Sequence, residues 1–86
     1  FAGAIEDYTR AITIDPRHAN AFANRAISRQ TMGDLAGALE DYTLALTINP
    51  LHADALVNRG GARQTRGDHG GAIEDCTRAL AINPRH

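Results

Sequence analysis

Three prolines set the frame of this chain. Pro16, Pro50 and Pro84 stand 34 residues apart, and nearly the same sentence surrounds each: GAIEDYTRAITIDPRH from Gly3, GALEDYTLALTINPLH from Gly37 and GAIEDCTRALAINPRH from Gly71. Upstream of the second and third, NAFANRAISRQTMGD from Asn20 is echoed by DALVNRGGARQTRGD from Asp54. Residues 19–52 and 53–86 agree at 20 of 34 positions, and residues 1–18 read as the second half of a preceding unit. A period of this size means one supersecondary unit stacked on copies of itself, because a single unit cannot bury its own apolar face. The period accounts for all 86 residues and leaves neither a linker nor a low-complexity segment.

Each unit reads as a pair of helices. The first runs from about Ala21 to Met32; Gly33 suits the left-handed position that follows a helix, and Asp34 is a natural N-cap for the next. The second runs from about Ala36 to Ile48 and is closed by Asn49-Pro50. Proline cannot continue the hydrogen-bond ladder and disfavours helical geometry in the residue before it. Ala38, Leu39, Tyr42, Ala45 and Leu46 recur at helical spacing on one face, with Glu40, Thr43 and Thr47 opposite, towards water. Ala72, Ile73, Cys76, Ala79 and Leu80 repeat that face. The expected fold class is all-α: an α-solenoid of antiparallel helix pairs, five helices in a single domain over residues 1–86.

Composition narrows the functions open to such a stack. Aromatics make up 5% of residues and Trp is absent, so alanine and small aliphatics carry the 43% hydrophobic content, which suits closely packed helices. Nine basic residues, all arginine, are interspersed with ten acidic ones for a net charge of -1. Nucleic-acid binders concentrate positive charge on one surface, so that partner is excluded. No stretch approaches the ~18 apolar residues of a membrane span. Cys76 has no second cysteine to pair with, and on an apolar helix face it is expected to be a small buried hydrophobe.

Residues capable of chemistry do not converge. His18, His52 and His86 occupy the same place in successive units, and in a helical stack such places lie at least a helix diameter apart, roughly 10 Å. That is too far for one metal ion, so solvated turns are expected instead. His69 lies in another turn with no evident partner. The acidic pairs Glu6-Asp7, Glu40-Asp41 and Glu74-Asp75 are adjacent residues, which point ~100° apart on a helix and cannot address one substrate atom. The glutamates read as solvent-facing and the aspartates as structural partners. GDHGG from Gly67 lacks the lysine of a phosphate-binding loop. No catalytic site, metal or cofactor is expected, and the chain is read as a non-enzyme.

A set of positions carries a family resemblance. A large apolar residue stands early in the first helix (Phe22, Leu56), with a small residue four places later (Ala26, Gly60). Small residues recur in the second helix (Ala38 and Ala45; Ala72 and Ala79), and between such places lies an aromatic at Tyr8 and Tyr42, though not at Cys76. With the closing proline, the set resembles the tetratricopeptide repeat family over the whole chain. Two departures stand out. Arg25, Arg29, Arg59 and Arg63 sit on the packed face of the first helices, where the family usually has apolar or aromatic side chains. Burying them alone would be costly, so at least one arginine of each pair is expected to bond Asp7, Asp41 or Asp75 on an adjacent helix. The Gly60-Gly61 pair should weaken its helix by ~1 kcal/mol per glycine and promote fraying.

The resemblance also implies a function. In this family the first helices of successive units line a concave groove. The helical wheel gives Asn20, Asn24, Ile27 and Thr31 to that side, flanked by Ala23 and Gln30; the next unit supplies Asp54, Asn58, Gly61 and Thr65, flanked by Val57 and Gln64. Asn24 and Asn58 are equivalent, and a carboxamide offers both donor and acceptor to an extended peptide backbone. The implied role is a protein-interaction scaffold binding a protein or peptide segment with little regard for its side chains. Another mode in the family grips a C-terminal carboxylate with lysine, arginine and asparagine. Asn24 fits it, but Asn20 and Asp54 stand where lysine is expected and Asn58 where arginine is. Phe1 begins where a second helix begins, and no polar capping helix follows Ile73 and Leu80. A longer array, or self-association through uncapped ends, is therefore expected. A structural spacer or self-assembly module, and the targeting arm of a larger enzyme, are the alternative readings.

Overall fold

Two kinds of turn, each recurring with the period, cut the chain into helices. The computed structural model describes residues 2–84, and these form α1 (Ala2–Ile14), α2 (Ala19–Thr31), α3 (Leu35–Ile48), α4 (Ala53–Arg66) and α5 (His69–Ile82). The all-α expectation holds: the described residues contain no strand. The α2–α3 and α4–α5 turns pass through Gly33 and Gly67 at φ 89° and 91°, a left-handed conformation that glycine adopts without strain. Asp34 and Asp68 then cap the next helix, each carboxylate accepting the N–H of Gly37 or Gly71 at 2.9 Å. A Cβ on either glycine would strike the capping carboxylate, which accounts for the glycine three places after each aspartate.

The proline turns work differently. Asn49 leaves α3 at φ -131°, the extended geometry proline imposes on its predecessor, and its side chain accepts the N–H of Leu51 at 3.1 Å. His18 and His52, expected in merely solvated turns, prove to be N-caps. Each accepts a backbone N–H through Nδ1 at 3.1 Å, from Ala21 and Ala55 respectively. An accepting Nδ1 leaves the proton on Nε2, and His52 Nε2 donates it to Asn20 Oδ1 at 2.7 Å, joining the start of α4 to the start of α2. These caps open α2 at Ala19, ahead of the expected start at Ala21. The third equivalent histidine, His86, lies outside the described residues, as does Phe1.

Small residues let the helices approach closely and a few large ones fill the gaps. Phe22, Leu46 and Leu56 pack with Ala23, Ala45, Ala55 and Ala79; Tyr42 packs with Ala26, Ala38 and Ala62. α4 lies against α3 here, so the apolar face of α3 is covered. The repeated face on α5 meets no further described helix: Ala72 and Ala79 are buried, but Ile73 is 68% exposed and Leu80 51%. Cys76 is exposed too, contrary to the expected burial, because it stands on that open side. α4 runs unbroken through Gly60-Gly61. Gly60 faces α5 so closely that an added Cβ would come within 3.2 Å of Cys76 Sγ.

The arginines on the packed face are paired as expected. Arg25 donates from Nε and Nη2 to the two oxygens of Asp41, both at 2.8 Å, and Arg29 adds a third bond to Asp41 at 2.9 Å. Arg59 repeats the fork on Asp75, both bonds at 2.8 Å, with Arg63 at 3.1 Å. Asp41 and Asp75 are almost wholly buried. The hydrogen bond to Asp41 is the main cause holding Arg25 above its ordinary pKa. Each forked arginine also reaches back one unit, Arg25 Nη1 to Thr9 Oγ1 at 3.2 Å and Arg59 Nη1 to Thr43 Oγ1 at 3.4 Å. Asp7, the equivalent aspartate on α1, is largely exposed and, among the described residues, pairs only with Arg10 on its own helix, at 3.8 Å.

Removing one partner of a buried, hydrogen-bonded ion pair strands the other charge. Asp41→Ala is expected to lower unfolding stability by about 3–5 kcal/mol, whereas Asp7→Ala should change it by less than about 1 kcal/mol. Urea denaturation of the two variants in parallel measures both.

Tyr42 supplies a pH test of the core. Burial pushes its hydroxyl up to about 12, and that hydroxyl donates to Gln30 Oε1 at 2.9 Å. The folded state thus favours the neutral phenol. The stability this contributes is complete below the ordinary tyrosine value of about 10 and is lost as pH rises through about 12, by at most about 1.4 kcal/mol per pH unit. Denaturation midpoints should therefore fall more steeply between about pH 10 and 12 for the unaltered chain than for Tyr42→Phe.

Candidate functional site

Along α2, Asn20, Asn24, Ile27 and Thr31 are all exposed. Along α4, Asp54, Gly61, Gln64 and Thr65 are exposed and Asn58 is half-buried. The two rows belong to helices already tied together by the His52–Asn20 bond. Several residues of the sequence-derived set have other work. Ala23 is only 4% exposed and belongs to the core, and Val57 packs half-buried against the same cluster. Gln30 is half-buried with Oε1 occupied by Tyr42, while Gln64 Oε1 lies 2.9 Å from His69 Nδ1. Asn20 Oδ1 is taken by His52, and Thr31 and Thr65 return their hydroxyls to the carbonyls of Ile27 and Gly61.

Asn24 and Asn58 remain. Neither makes a side-chain hydrogen bond among the described residues, so each keeps a donor and an acceptor for a ligand. Gly61 adds open space beside them, since a Cβ built there meets nothing within 4 Å. In the first unit Ile27 fills the equivalent place and offers an apolar contact, 42% exposed.

The charge of this face follows from helix geometry. Successive residues turn by ~100°, which carries Arg25 and Arg29 away from Asn24, and Arg59 and Arg63 away from Asn58. All four guanidinium groups are engaged with aspartates on the other side. Asp54 is the one formal charge in the sequence-derived set. Two of the three acidic pairs are divided as the sequence suggested, with Glu40 and Glu74 exposed and Asp41 and Asp75 buried as arginine partners; in the first pair Glu6 and Asp7 are both exposed.

Three features escaped the sequence reading. Histidine capping had a visible signal, since His18 and His52 stand immediately before Ala19 and Ala53, where the helices start. The Tyr42–Gln30 bond and the arginine–threonine bonds join residues 12 and 16 apart on different helices, and only packing brings them together.

The tetratricopeptide repeat family matches residues 53–86. Solved structures extend the likeness over nearly the whole chain. The first TPR of Spaghetti (RPAP3), bound to HSP90 peptide SRMEEVD, is 29% identical with a TM-score of 0.92, covering 95% of this chain and 65% of that one. The second TPR of the same protein, bound to the same peptide, is 32% identical with a TM-score of 0.88, covering 92% of this chain and 73% of that one. The Arabidopsis OM64 TPR domain is 28% identical with a TM-score of 0.92, covering 95% and 68%. No curated protein sequence matches closely enough to count as a relative. The recurring helix pair, the small residues at the crossings and the closing proline thus have the setting their spacing implied: the chain belongs to the tetratricopeptide repeat family.

Proposed function

We propose that the face shared by α2 and α4 binds an extended polypeptide segment, held chiefly through its backbone by Asn24 and Asn58. The observation that carries this reading is the pair of equivalent carboxamides, one per unit, left without a partner among the described residues on a face cleared of arginine. Two similar TPR domains are solved with a bound peptide, which supports peptide binding by this fold. Their peptide, SRMEEVD, carries three acidic side chains. The face here offers Asp54 and no arginine, so the segment it suits is neutral, with small or apolar side chains, or bears a basic residue near Asp54. Two amide contacts give weak binding once the peptide's ordering entropy is included, on the order of micromolar to millimolar. Further repeats would raise affinity by extending the same row.

A self-assembling module is the second reading, favoured by the exposed Ile73, Cys76 and Leu80 on α5. It predicts concentration-dependent oligomers in sedimentation, with no loss when Asn24 and Asn58 are replaced.

The test of the first reading is a titration of the segment recovered with the partner against the unaltered chain and Asn24→Ala/Asn58→Ala. Loss of two peptide hydrogen bonds should weaken binding by roughly tenfold or more. Raising salt should change affinity little, because few charges take part. Equal affinity for the double variant, or binding abolished by moderate salt, would move the interaction to another surface.

A further inference from the structure

On the side of α4 away from Asn58, a cleft of about 500 Å³ opens against α3. Its lining includes Thr43, Arg59, Arg63, Arg66, Gly67 and Asp68. We infer that this cleft is an oxyanion site that takes a phosphate-type group, with Arg66 as its recognition residue.

The argument is one of charge and of donors left over. Three guanidinium groups border the cleft, and the carboxylates among them are Asp68 and the buried Asp75. Every nitrogen of Arg59 is engaged, Nε and Nη2 on Asp75 and Nη1 on Thr43. Arg63 gives Nη1 to Asp75 and to the Gly71 carbonyl, and its Nε stands 3.9 Å from Asp68. Its Nη2 has no hydrogen bond among the described residues. Arg66 is exposed and has no ion pair among them. Asp75 is 0% exposed with both oxygens used, so it has nothing to give Arg66. Asp68 spends Oδ1 on the N–H of Gly71. The site therefore holds one cation in excess, beside a guanidinium with a spare donor edge.

The preceding unit supplies an internal control. The position equivalent to Arg66 is Met32, exposed and uncharged. There Arg25 and Arg29 both pair with Asp41, and no third arginine stands beside them. The excess charge thus belongs to one unit and is not a demand of the repeat. Gly67, without a Cβ, leaves the mouth of the cleft open beside Arg66. A dianionic oxyanion with several acceptor oxygens fits planar guanidinium donors better than a monoanion does.

The experiment uses the full chain and inorganic phosphate, with sodium chloride adjusted to hold ionic strength constant. Amide shifts of Gly67 and Thr43 and the side-chain Nε signal of Arg66 are followed by NMR. Saturable movement of these signals is expected, with millimolar-range affinity, and acetate should bind roughly tenfold more weakly. Arg66→Met, which copies the preceding unit, should abolish saturation, while Arg66→Lys should keep part of it. A circular dichroism melt confirms that both variants fold. No saturable shift, an equal response in Arg66→Met, or acetate binding as well as phosphate would each overturn the proposal. So would a lower helix stability in Arg66→Met as its only effect, which would leave Arg66 as a cation complementing the C-terminal end of α4.

Discussion

One guanidinium group connects three helices, and the stacking register depends on it. Arg25 forks onto Asp41 of α3 and reaches Thr9 of α1; Arg59 forks onto Asp75 of α5 and reaches Thr43 of α3. The apolar contacts around these groups are made mostly by alanine, whose methyl group fixes orientation poorly because it fits many alignments. A bidentate arginine–carboxylate pair has a planar geometry and tolerates little sliding. Burial makes it more demanding still, since a shifted helix would leave a charge in the interior without its counter-ion. Alanine allows the close approach, and arginine decides where along the helix it occurs.

The same device shapes the outer face of α2 and α4, the one proposed to bind a peptide. A helix that commits its arginines to the inner side has none to present on the outer side, and amides are what remain there. His52 contributes in the same way, by capping α4 through Nδ1 while binding Asn20 through Nε2. That second bond fixes α2 and α4 at the end where their outer rows begin. Asn24 and Asn58 are thus held on a frame whose alignment is set by other residues. Side chains placed in this manner meet a ligand with less ordering left to be done.

Much of this was legible in the sequence, and the rest was hidden for identifiable reasons. The period, the turns at Gly33 and Pro50, the Asp34 cap and the pairing of arginine with aspartate follow from local rules and from the cost of burying charge. The outer row of α2 came from the wheel alone, yet the wheel misjudged Ala23 and Gln30. Those two lie at the boundary between faces, where the neighbouring helix decides. α3 approaches near enough for the Tyr42 hydroxyl to take up Gln30, and the core closes over Ala23. Cys76 was misjudged for a related reason. A pattern read as buried in α3 is buried there because α4 lies over it, and the same pattern on α5 has no described helix above it. Periodicity identifies the apolar side of a helix, while burial depends on what stands beside it.

The differences between units show where the frame leaves freedom. Arg, Asp and Thr at the connecting positions are identical in α2–α3 and α4–α5, as are the capping aspartates and the histidines before Ala19 and Ala53. Replacement of Tyr42 by Cys76 removes the hydroxyl that engages Gln30, and Gln64 turns to His69 instead. Ala26 becomes Gly60 beneath that cysteine, Ile27 becomes Gly61 on the outer row, and Met32 becomes Arg66 beside the cleft. None of these exchanges touches the arginine fork. A stack built in this way can therefore vary the residues it shows on its surface, unit by unit, while the alignment of its helices stays constant. That separation is what allows the outer row and the arginine cleft, on opposite sides of α4, to be altered independently of each other.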